Sequence, residues 1–144
     1  MAHPLPPDAD AEALTRCQVL VVDDDEVIRE TMVYLLEYAG YVVCAAAGGT
    51  QALERLRSSP GPMVVLLELN MPGMDGTQLL RLVANETALA TRHAYIVVTA
   101  RQKTFPLDFA ALLTNLSVPV LAKPFDIDHL LTLVAAAEQR LTPS

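Results

Sequence analysis

Basic runs, long apolar stretches and cysteine motifs are all missing from this 144-residue chain. Each gap removes a class of function. Ten Lys and Arg against 17 Asp and Glu leave a net charge of −7. No basic run exceeds two residues, so the overall field disfavours nucleic acid and anionic membrane. No apolar stretch approaches the roughly 20 residues that span a bilayer. The first ten residues lack the basic start and apolar centre of a signal peptide, so cytoplasmic residence is expected. No Gly-x-Gly-x-x-Gly is present to cradle a dinucleotide. The two cysteines, Cys17 and Cys44, show neither CxxC nor metal-ligand spacing. They fall at the start of the first predicted strand and near the end of the second. Positions offset in that way along parallel strands predict two buried, reduced thiols rather than a disulfide.

What is present is a folded domain. The chain is 52% apolar and 19% charged, which is globular rather than disordered. A domain of this length buries about 68–70% of its unfolded surface. Residues 1–16 carry three prolines and three acids and read as a mobile tail. Residues 17–142 are expected to form one domain without internal repeats, and no attached DNA-binding or catalytic output module is expected.

Within that domain short β-branched runs alternate with helical patterns, the signature of a doubly wound sheet. The strands are near-continuously apolar, as strands covered by helices on both faces should be. Asp25 is placed to cap a first helix with Ile28, Met32, Leu35 and Ala39 on one face, stopped at Gly40. Tyr41–Ala45 follows as a strand. A second helix opens at Gly48-Gly49-Thr50, buries Ala52, Leu53 and Leu56, and closes at Ser58-Ser59-Pro60. A third runs from about Gly76 to Asn85, a fourth over Pro106–Leu116, and Asp126 caps a fifth ending near Leu141. Short right-handed crossovers favour a flavodoxin-like α/β sandwich with parallel strand order 2-1-3-4-5.

Four strand-like runs end in residues with site chemistry. Val19–Val22 leads into Asp23-Asp24-Asp25, and Val64–Leu67 into Glu68. Tyr95–Val98 leads into Thr99, and Val118–Ala122 into Lys123-Pro124-Phe125. The carboxyl ends of parallel strands form the ligand crevice, so these groups converge. Adjacent carboxylates repel unless a cation joins them, and hard oxygen donors suit Mg²⁺. An ammonium and a hydroxyl beside that cation suit a phosphoryl group. A plainer reading of Asp25 and Glu26 is that they complement the helix dipole. For Asp75, which precedes Gly76, turn or cap chemistry outweighs a role as acceptor.

This constellation resembles the receiver domain of bacterial response regulators over roughly Gln18 to Leu141. The most specific match is the run Leu67-Glu68-Leu69-Asn70-Met71-Pro72-Gly73-Met74-Asp75-Gly76. The resemblance implies a non-enzymatic signalling module in a two-component or phosphorelay pathway. It assigns Mg²⁺ to Asp23, Asp24, the residue at position 68 and the backbone carbonyl of Asn70, with Thr99 and Lys123 serving the phosphoryl group. It implies a sensor histidine kinase, phosphotransferase or effector protein as partner. It also implies a monomer or weak homodimer through the fourth helix, fifth strand and fifth helix. Leu112, Leu113, Leu130 and Leu133 on those elements read as core rather than interface.

Three departures qualify the resemblance. Glu68 stands where the family carries its phosphoacceptor aspartate. Its extra methylene moves the carboxylate roughly 1–1.5 Å, a misplacement that can cost on the order of 10²-fold in rate. Val120 stands where an aromatic switch residue is usual, and Asn115-Leu116-Ser117 where alanine-glycine is common. Together they predict a receiver that is phosphorylation-independent or constitutively biased.

Two other classes fit less well. A haloacid-dehalogenase-like phosphatase would use Asp23, Asp25, Thr99 and Lys123, but Asp126 and Asp128 follow on a helix start and no cap domain exists. A flavin-binding module needs a hydroxyl- and glycine-rich phosphate loop, where this chain has Asp-Asp-Asp-Glu.

Overall fold

A computed structural model describes residues 17–100 and 104–141. The expected tail, residues 1–16, lies outside the described residues. Five parallel strands, β1 (Val19–Val22), β2 (Val43–Ala46), β3 (Val64–Leu67), β4 (Ala94–Ala100) and β5 (Val120–Lys123), form one sheet in the order β2-β1-β3-β4-β5. Among the described residues six helices accompany them: α1 (Glu26–Tyr38), α2 (Gly49–Ser58), α3 (Gly76–Asn85), α4 (Thr87–Arg92) and α5 (Leu107–Asn115) between strands, and α6 (Ile127–Leu141) after β5.

The apolar strands explain the layering, because successive side chains alternate between faces. Leu20, Val22, Val65, Leu67, Tyr95 and Val97 point into one core with Leu56 of α2, Leu79 and Leu80 of α3 and Phe109 of α5. Val19, Val21, Val64, Leu66, Ile96 and Val98 point into the other with Met32 and Leu36 of α1 and Leu130 and Val134 of α6. Both faces of β1 and β3 are therefore fully buried. Leu113 and Leu130 are buried in these cores, as expected, and Leu112 and Leu133 pack against them half-buried.

Helix ends follow local chemistry. Asp25 accepts a hydrogen bond from the Ile28 amide and caps α1. Asp75 and Gln78 form a reciprocal capping box at α3, the cap role anticipated for Asp75. Gly76 has a steric reason: a Cβ there would stand 2.2 Å from the Glu68 carbonyl oxygen. On α1 the buried ridge is Met32 and Leu36, and Ala39 is exposed. The short α4 was not anticipated; six residues without apolar periodicity give little signal.

The expectation of two reduced thiols is overturned. Cys17 and Cys44 are joined in a disulfide with their Cα atoms 5.8 Å apart, inside the normal bridging range. Two details of the backbone account for it. β2 begins at Val43, later than expected, so Cys44 lies near its start rather than its end. The chain bends at Gln18, and the amides of Gln18 and Val19 both donate to the Val42 carbonyl. The bend folds Cys17 across toward β2.

Candidate functional site

The carboxyl ends of β1, β3, β4 and β5 bring Asp23, Glu68, Thr99 and Lys123 together. Thr99 and Lys123 lie inside β4 and β5 rather than just beyond them, so their positions are set by the sheet ladder. Asp23 and Glu68 follow the last residues of β1 and β3, and the Glu68 amide donates to the Val22 carbonyl at 3.0 Å. Asp23, Glu68 and Thr99 are buried, while Lys123 keeps 17% of its side chain exposed.

Glu68 is the hub. Its Oε2 accepts from the Leu69 amide (2.8 Å), the Asn70 amide (3.2 Å) and the Thr99 hydroxyl (2.5 Å). Its Oε1 accepts from Lys123 Nζ at 2.7 Å, and the same ammonium donates to Asp23 Oδ2 at 2.7 Å. The other Asp23 oxygen accepts from the Asp25 amide at 2.9 Å. Arg29, one turn into α1, donates to the Asp23 carbonyl at 2.9 Å. Sequence reasoning missed Arg29; its place on the first turn after the Asp25 cap was the available signal. Asp24 is exposed. Asn70 is exposed too, and it enters the site through its amide.

The electrostatics follow from these contacts. Burial alone would raise the Glu68 carboxyl, but hydrogen bonds from Lys123, Thr99 and the Asn70 amide outweigh it and hold the carboxyl below its ordinary value. Burial would likewise lower the Lys123 ammonium, and its bonds to Asp23 and Glu68 raise it instead. The cluster is an ion triad in which one ammonium bridges the Asp23 and Glu68 carboxylates.

The sequence matches the family described as the response regulator receiver domain over residues 19–135. That span covers all five strands and the whole cluster. The chain belongs to the receiver domain family. It is 33% identical over 122 residues to the transcriptional regulatory protein CseB of Streptomyces coelicolor, covering 85% of this chain and 49% of that protein. It is 36% identical over 120 residues to the DNA-binding transcriptional regulator NtrC of Escherichia coli K12, covering 83% of this chain and 24% of that one. The chain thus spans about half the length, or less, of these curated relatives. Among solved structures, it is similar to a CheY-like response regulator receiver domain from Methanospirillum hungatei JF-1. There the TM-score is 0.71 at 28% identity, over 85% of this chain and 95% of that one.

Receiver domains are signalling modules that in general bind Mg²⁺. In this receiver the donor set, as arranged, does not fit the ion. Three donors crowd Glu68 Oε2, and the Lys123 ammonium holds Oε1. Lys123 supplies the positive charge between the two buried carboxylates. Among the described residues, no group of three or more His, Cys, Asp or Glu side chains is gathered closely enough to hold a metal. Val120 is 41% exposed on the edge strand β5.

Proposed function

We propose that this receiver signals independently of phosphorylation, with Glu68 standing in part for a phosphorylated acceptor. One observation carries the reading: the Glu68 carboxylate accepts four hydrogen bonds, three at Oε2 and one at Oε1, two of them from the Thr99 hydroxyl and the Lys123 ammonium. A carboxylate with a donor on each oxygen, one of them an ammonium, is a weakened nucleophile, because its electron density is drawn toward those donors. It also gives Thr99 and Lys123 an anionic partner without any phosphoryl donor. Glu and Asp share the same nucleophilic group and similar basicity, so the difference between them is one of reach.

The pathway assignment is a two-component or phosphorelay system, with a sensor histidine kinase, phosphotransferase or effector protein as partner and a cytoplasmic location. Among the described residues no helix is long and apolar enough to cross a membrane, which is compatible with that placement. The proposed partner or dimer surface is α5–β5–α6. Mg²⁺ chemistry belongs, on this reading, to the Glu68→Asp form. Shortening the side chain frees oxygens at position 68, which would join Asp23, Asp24 and the Asn70 carbonyl as donors for a hard cation.

Amide chemical shifts test the bias. With Mg²⁺ and acetyl phosphate added, the unmodified protein should keep its spectrum, while Glu68→Asp should shift around Thr99 and Lys123. The Glu68→Asp protein, once phosphorylated, should approach the unmodified spectrum at those residues. Phosphate-dependent shifts in the unmodified protein would contradict the reading.

A further inference from the structure

The Cys17–Cys44 bridge lies at the end of the sheet opposite the ion triad, and nothing in the proposed signalling role uses it. Its surroundings have three features. Cys44 is half-buried on β2, an edge strand that pairs only with β1. Both cysteines line a cavity of about 300 Å³ whose wall also holds Arg55, Ser58 and Ser59. The bridge closes a loop, 27 residues in sequence separation, that contains β1, the whole of α1 and Asp23.

We propose that this bridge is a thiol-responsive staple, opened by low-molecular-weight thiols that reach it through the cavity, and that opening loosens β2 against β1. A small thiolate attacks Cys44 Sγ, breaking the Cys17–Cys44 bond and expelling Cys17 as a thiolate. A second small thiolate attacks the mixed disulfide at the small-molecule sulfur and releases Cys44. Two protons are taken up, the protein disulfide gains two electrons, and two small thiols leave as one oxidised disulfide. The Arg55 guanidinium on the cavity wall favours the anionic form of a departing or incoming sulfur. β2 is the strand that responds because it lacks a second neighbour in the sheet.

The test uses the unmodified protein, exposed to graded mixtures of reduced and oxidised glutathione and then trapped with N-ethylmaleimide for intact mass. Both cysteines should be protected under oxidising mixtures and become reactive together as the mixture turns reducing, while the circular dichroism remains native. Reduction should lower Tm by roughly 5–12 °C, from the loop constraint it removes. It should also speed amide exchange in Val43–Ala46 more than in Val64–Leu67. Cys44→Ser should reproduce the reduced state; if that variant fails to fold, the reduced unmodified protein carries the comparison. Three outcomes would overturn the proposal: immediate alkylation of both thiols under oxidising mixtures, reduction only after denaturation, or reduction that leaves Tm and β2 exchange unchanged.

Discussion

The two ends of the sheet are held by opposite chemistry. At the carboxyl ends of the strands, Lys123 forms ion pairs with both Asp23 and Glu68, each at 2.7 Å. At the amino ends the fully buried side-chain links carry no charge. His93 is buried, its Nδ1 accepting from the Met63 amide at 3.0 Å and its Nε2 donating to the Leu56 carbonyl at 3.1 Å. This requires the neutral ring with its proton on Nε2. The Tyr95 hydroxyl donates to the Leu89 carbonyl, and burial pushes that phenol up, so it too stays neutral. A charged cluster can respond to a change of charge, which suits a signalling end. The buried links at the other end hold no charge to change.

The largest effect that would sharpen this contrast is expected from Lys123→Ala. Removing the ammonium leaves two buried carboxylates facing each other, a loss of about 3–5 kcal/mol when one partner of a buried pair is deleted. Urea unfolding at neutral pH checks it. A much smaller loss would mean the cluster is hydrated and the two ends are not so different.

Next comes His93→Ala, which strands the Met63 amide and the Leu56 carbonyl and is expected to cost on the order of 3 kcal/mol. His93 also sets a pH limit. Burial, with help from the charge on Arg92, holds its folded pKa below the ordinary value despite the bond to Leu56. The unfolded chain therefore binds a proton that the folded protein refuses. Stability is fully present above about pH 6.5 and falls as pH drops toward the folded value, by up to about 1.4 kcal/mol per unit. Glu68 acts in a lower window: its depressed folded pKa contributes stability above about pH 4.3 that is lost as pH falls through the folded value. Urea titrations from pH 8 to 3 should show two separate losses, with His93→Ala lacking only the first. A single transition near pH 4 would break the comparison.

Smaller effects probe how the charged end is positioned. Gly76→Ala would press a methyl against the Glu68 carbonyl oxygen and Leu69 Cα, and forced shifts of this kind cost about 1–3 kcal/mol. It should also perturb Thr99 and Lys123 resonances, which an ordinary helix substitution would not. Asp75→Ala removes the α3 capping box and is expected to cost about 1 kcal/mol, with the Glu68 contacts intact.

The charged end was far more legible in the sequence than the neutral one. Apolar runs that stop at Asp23, Glu68, Thr99 and Lys123 announce both the strands and the crevice, because a buried parallel strand tolerates polar groups only where it emerges. The strand order followed from connection rules. Asp24 and Asn70 were legible as residue types but not as contacts, since exposure and the use of an amide rather than a carbonyl depend on local backbone direction. The neutral end left weaker marks. The Cys17–Cys44 pairing turned on where β2 starts and on a bend at Gln18, a shift of two residues that sequence patterns do not fix. His93 beside Ala94 and Tyr95 gave no hint that its ring would join Met63 to Leu56.

The central claim is that Glu68 holds Thr99 and Lys123 without phosphate. The most direct test is the intact mass of the protein after incubation with Mg²⁺ and acetyl phosphate, beside Glu68→Asp. The account predicts no added phosphoryl mass on the unmodified chain and a clear gain on Glu68→Asp. A gain on the unmodified chain that disappears with Glu68→Gln would make Glu68 a true acceptor and contradict the account.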